Sequence, residues 1–76
     1  MEKIYEILNG LRPEFDFHES SDYIADGMLD SFDIISLVTE IEDAYGVLID
    51  ALDILPENFS SAESIAKIIV KNGGTV

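Results

Sequence analysis

Three observations predict an all-α fold, a small bundle of three longer helices and one short helix joined by a long first loop. Apolar residues recur at helical rather than strand spacing in three segments, and capping or stopping residues stand at the ends of those segments. The one strand-like run, Val47-Leu48-Ile49, has no second run to pair with. Helices of this kind bury their apolar stripes against one another, so a four-helix bundle is the expected architecture.

The first helix spans residues 2 to 12, where Ile4, Ile7, Leu8 and Leu11 form one stripe and Glu2, Lys3, Glu6 and Asn9 stand opposite. Pro13 ends it, because the residue before a proline is pushed out of helical geometry. Glu14 to Asp30 is long for a bare connection in so small a domain, so it should be anchored, with Phe15, Phe17, Tyr23 and Ile24 as the anchors. Ser20-Ser21-Asp22 reads as a cap cluster and suggests a short helical turn over Asp22 to Ala25. Asp26-Gly27 marks a turn, after which Met28 and Leu29 drop back toward the core.

Asp30-Ser31-Phe32-Asp33 has the form of a helix start, with Asp30 as N-cap and Asp33 favouring the positive end of the helix dipole. Ile34, Leu37, Val38, Ile41 and Tyr45 then recur at helical spacing, and Gly46 stops the helix in the left-handed conformation that suits glycine. Val47 to Ile49 is expected to be an extended linker that buries Val47 or Ile49. Asp50 can cap a short third helix over Ala51 to Leu55, which Pro56-Glu57-Asn58 breaks before Phe59 turns inward. Ser60 with Glu63 forms a capping box for the last helix, whose apolar face is Ala62, Ile65, Ala66, Ile68 and Ile69. Gly73-Gly74 ends it, and the tail is expected to fray.

Composition narrows the function. The 76 residues suit one domain, 1–76, with no internal repeat or low-complexity tract. Cysteine is absent, which excludes disulfides, thiolate metal sites and cysteine nucleophiles. Sixteen acidic residues against four basic ones give a net charge of -12, which disfavours nucleic acid and anionic membrane and favours a partner carrying a Lys/Arg patch. No apolar run approaches the roughly 18 residues that a membrane span needs, and Met1-Glu2-Lys3-Ile4 lacks the pattern of a secretory signal, so a cytoplasmic address is expected. Tyr5, Tyr23, Met1 and Met28 read as packing residues and His18 as an ordinary loop residue.

The sequence Asp30-Ser31-Phe32, preceded by Asp26-Gly27-Met28-Leu29 and followed by an amphipathic helix, resembles the acyl carrier, peptidyl carrier and D-alanyl carrier protein family. In that family the motif is Asp-Ser-Leu, and the serine carries a 4′-phosphopantetheine arm. The resemblance runs from the first helix to about Asn72 and is specific only around Ser31. It implies an acyl-carrier-protein-like bundle, with Ser31 as the attachment site and Asp30 orienting the helix start and the approaching transferase. It further implies a non-enzymatic, monomeric phosphoprotein of fatty acid, polyketide or nonribosomal peptide biosynthesis. Its partners would be a phosphopantetheinyl transferase and acyl- or aminoacyl-loading enzymes. Phe32 stands where leucine is usual, keeping a large apolar contact that would tune partner choice.

The residues themselves allow other chemistries. Ser31 as an enzymatic nucleophile would need a base, yet the chain has a single histidine and no Gly-x-Ser-x-Gly elbow. Asp22 to Asp33 spans the 12 positions of a calcium loop, with Asp22, Asp26 and Gly27 in register. Ile24 and Asp33, however, occupy positions where a side-chain ligand and a bidentate glutamate are expected. The alternative to a carrier is a non-catalytic acidic interaction module with weak divalent-metal binding at Asp22–Asp33. For partner recognition, Phe32, Ile35 and Thr39 fall off the buried stripe, and Asp33, Glu40, Glu42 and Asp43 supply an acidic rim. A small apolar contact inside such a rim suits transient docking. For Glu42 and Asp43 a simple solvated face explains the charge equally well, and Ile35 could instead complete the core.

Overall fold

The computed structural model describes residues 1–76 and contains three α-helices: α1 (Glu2–Leu11), α2 (Ser31–Tyr45) and α3 (Ala62–Lys71). No strand is formed; the remaining regular structure consists of 3-10 turns at Phe17–Glu19, Ala51–Asp53 and Pro56–Phe59. Helix α1 packs on both α2 and α3, and the Pro56–Phe59 turn touches α2 and α3 together. The apolar stripes meet in one core in which Leu8, Leu37, Phe59, Ile65 and Ile69 are wholly buried. Truncating any one of these leucines or isoleucines to alanine removes transfer energy and leaves a cavity, at a cost of about 2 to 5 kcal/mol.

The long first segment is held as its aromatic residues predict. Phe17 and Tyr23 are buried and meet edge to face at 4.9 Å, while Phe15 and Ile24 pack half-buried beside them. Tyr23 donates its amide to the Ser60 carbonyl at 2.7 Å, and its own carbonyl accepts from Met28 and Leu29 at 2.8 and 3.2 Å. The residues just before α2 are thereby tied to the opposite side of the bundle. Burial of the Tyr23 phenol pushes its pKa up to about 12. The Asp22 carboxylate caps the turn from 23 to 27, accepting from the amides of Ile24 and Ala25, and Gly27 takes a φ of +72° that only glycine adopts freely.

Several local expectations need correction. The short helix expected over Ala51 to Leu55 is a single 3-10 turn, Ala51–Asp53, because Leu52 faces solvent with 82% exposure and gives the segment no buried stripe. What holds this turn is polar: Asp53 accepts from Lys71 Nζ at 2.6 Å and from Asn72 at 3.3 Å, and Asn58 donates to its carbonyl at 2.8 Å. Helix α3 is capped by Ser61 and Ser64 instead of Ser60 and Glu63. Burying Ala62 and Ile65 requires extended backbone at residue 61, while Ser60 closes the preceding turn onto the Glu57 carbonyl at 2.9 Å.

Both Val47 and Ile49 are buried, with Leu48 pointing out between them. The tail is anchored at Gly74, whose amide donates to the Ile69 carbonyl at 2.8 Å and whose Cα lies against Ile69 and Val47. Among the residues read as packing groups, Met28 is buried, whereas Met1 is 45% exposed. No helix is long and apolar enough to cross a membrane.

Candidate functional site

The first turn of α2 is built by a short chain of local causes. Met28 and Leu29 are buried, which fixes where the chain re-emerges, and Asp30 then takes the extended conformation of an N-cap. Its carboxylate accepts from the Asp33 amide at 2.9 Å, and the Asp33 carboxylate accepts from the Asp30 amide at 3.0 Å. This reciprocal pair satisfies two of the amides that a helix start otherwise leaves without partners. Ser31 is the first residue of the helix and is exposed, whereas Ile34 and Leu37 are buried.

A second constraint comes from α1. Arg12, at the residue after that helix, directs its guanidinium at the Asp33 carboxylate: Nε donates to both oxygens at 3.1 Å and Nη2 to Oδ2 at 2.8 Å. Glu14 joins through Nη1 at 3.3 Å, and Asp30 lies 3.7 Å from Nη2. Burial opposes the charge on Asp33, but the Arg12 hydrogen bonds and the Asp30 amide outweigh it and hold the carboxyl below its ordinary range. The Arg12 pKa is raised, first by its hydrogen bond to Asp33 and then by Glu14.

Two apolar side chains close to the serine in sequence, Phe32 and Ile35, face solvent. Phe32 is 81% exposed and Ile35 is 65% exposed, so Ile35 does not complete the core. Thr39 continues this face and bonds back to the Ile35 carbonyl at 3.2 Å, while Asp43 stands exposed one turn further on. Leu48 joins the same surface, lining a shallow depression with Thr39 and Asp43. It is an exposed apolar residue that sequence reasoning did not place on this surface, and the in-out-in alternation of Val47, Leu48 and Ile49 was the signal for it.

Two residues assigned to the acidic rim do other work. Asp33 is taken up by Arg12 and the Asp30 amide, leaving its side chain only 13% exposed. Glu42 is half-buried and accepts from the Ile49 amide at 2.9 Å, which holds the returning linker against α2. Glu40 is exposed but lines a groove toward α1 with Lys3, Glu6 and Ile7. The acidic groups left exposed on the Ser31 side of α2 are therefore Asp43 and Asp30, the latter already capping the helix and 3.7 Å from Arg12.

The carboxylates of the Asp22–Asp33 span are turned inward on the chain itself. Asp22 caps its own turn, Asp26 accepts from Ser20 Oγ, and Asp33 is paired with Arg12. No group of three or more histidine or carboxylate side chains is gathered as a metal would need. The histidine is likewise engaged: its ring stacks on Tyr5 at 3.8 Å, and its amide donates to Asp16 at 3.0 Å.

Comparison with protein-family models, with curated proteins and with solved structures found no match to this chain.

Proposed function

We propose that this protein is a small acyl or aminoacyl carrier in which Ser31 bears a 4′-phosphopantetheine arm. The observation that carries the reading is the placement of an exposed serine hydroxyl on the first turn of a capped helix, directly after Asp30 and beside the exposed Phe32. The Asp-Ser-Phe sequence resembles the carrier-protein motif at that same place, and an acyl-carrier-like arrangement of the helices belongs to the proposal. A carrier needs no base of its own. The Ser31 oxygen bonds to the phosphorus of coenzyme A that bears pantetheine, the hydroxyl proton passes to a base on the transferase, and the adenosine bisphosphate leaves.

The terminal thiol of the arm then holds cargo as a thioester. Tethering supplies the function: a cargo that cannot diffuse away meets each docked enzyme at high effective concentration. Phe32 and Ile35 provide apolar contact beside the arm, with Thr39 and Leu48 continuing that face. Asp30 and Asp43 attract partners with basic patches, an attraction that salt weakens.

Incubation with a broad-specificity phosphopantetheinyl transferase, coenzyme A and Mg²⁺, followed by intact-mass measurement, tests this. The wild type should gain one phosphopantetheinyl group and Ser31→Ala none. No gain on the wild type, or an equal gain on the variant, would remove the carrier reading.

A further inference from the structure

We propose that Arg12 is a positioning residue for the modification of Ser31: by gripping Asp33 it fixes the first turn of α2, and so the direction in which the serine hydroxyl is offered. This inference rests on Ser31 being the attachment site.

The geometry centres on one carboxylate. Asp33 Oδ2 accepts both from Arg12 Nη2 at 2.8 Å and from the Asp30 amide at 3.0 Å, so a single oxygen joins the end of α1 to the backbone just before Ser31. Asp30 and Asp33 are bonded to each other in both directions, and Ser31 lies inside the loop they close. Arg12 anchors that loop to a helix 21 positions away in sequence. Three carboxylates converge on its one guanidinium: Glu14 at 3.3 Å, Asp30 at 3.7 Å and Asp33 at 2.8 Å. Without it, three like charges would share the doorway, and the half-buried Asp33 would be driven outward, opening the cap. A lysine at position 12 would supply charge without the planar fork that holds both oxygens at once.

Two explanations of Arg12 predict opposite kinetics. If it positions Ser31, Arg12→Gln lowers kcat for phosphopantetheine transfer while the KM for this protein changes less, and Arg12→Lys restores only part of the loss. The expected loss for Arg12→Gln is on the order of tenfold, within the range that an ångström of misplacement can produce. If it only trims surface charge, Arg12→Gln makes the docking face more acidic, lowers the KM and leaves kcat alone, and Arg12→Lys behaves as wild type. That second pattern would overturn the inference.

Amide hydrogen exchange supplies a readout independent of any transferase. Exchange at Asp33 and Ile34 should quicken in Arg12→Gln, with Ser64 and Ile65 at the start of α3 unchanged; equal exchange in wild type and variant would also overturn it. The double variant Arg12→Gln/Asp33→Asn removes the unpaired charge and separates loss of the grip from simple repulsion. If the wild type itself accepts no arm, the carrier reading fails, and the grip stands or falls on the exchange measurement.

Discussion

Replacing Asp30 with alanine removes one half of the reciprocal cap on α2. The lost bond is the one from the Asp33 amide to the Asp30 carboxylate, 2.9 Å long. The other half survives, because its donor is the Asp30 backbone amide. Loss of an N-cap acceptor costs about 1 kcal/mol. For a domain of this size that lowers Tm by about 4 to 8 °C. Removing this exposed charge from a chain of net charge -12 relieves repulsion but also loses the 3.7 Å pairing with Arg12, and these opposed effects come to about a few tenths of a kcal/mol. Asp30→Asn keeps the acceptor and loses the charge, so it should unfold within about 2 °C of wild type on the same scale. Thermal unfolding followed by far-ultraviolet circular dichroism measures all three proteins. An unchanged Tm for Asp30→Ala, or an equal drop for Asp30→Asn, would refute the assignment of Asp30 as a cap that acts through its oxygen.

Other expectations concern the rest of the frame. Gly74→Ala would bring a Cβ to 2.5 Å from Ile69 Cγ2 and 3.1 Å from the Ile69 carbonyl, so it should destabilise by about 1 to 3 kcal/mol in denaturant titration; wild-type stability would show that the tail is not packed there. Asp53 is held below its usual value of 3.8, first by the Lys71 hydrogen bond, and Asp33 is also depressed. The stability they contribute is present above the unfolded value and lost as pH falls through the folded ones, so urea midpoints should fall with acid less steeply in Asp53→Asn than in wild type. Parallel curves would contradict this. With sixteen acidic residues against four basic, Tm should rise from low to moderate salt as repulsion is screened; a flat or falling Tm would count against self-repulsion as a destabilising force.

The three α-helices were legible because each carries a buried stripe at helical spacing and a cap or stop that no other local structure uses as well. The linker after α2 was legible in part: burial of Val47 or Ile49 was expected, and both are buried because an extended stretch turns alternate residues to the same side. The errors fall where a residue's role is decided by something distant or by close competition. Arg12 gives no local sign of its grip on Asp33, since that partner lies 21 residues away. Glu42 looks like any exposed helix glutamate until the linker returns and its carboxylate meets the Ile49 amide. Ser60 and Ser61 are both good caps, and the choice between them depends on how Ala62 and Ile65 must point into the core. The short helix was overestimated because the Asp50 cap and the break at Pro56 mark its ends without deciding its interior, where Leu52 faces solvent and Asp53 makes the inward contact.

The sharpest test of the central proposal is peptide-level mass spectrometry of the protein after reaction with transferase and coenzyme A, since the chain offers serines at 20, 21, 31, 36, 60, 61 and 64 as competing acceptors. The account predicts the phosphopantetheine arm on Ser31 and on no other serine. An arm located elsewhere, or a Ser31 peptide that remains unmodified after full reaction time, would contradict it.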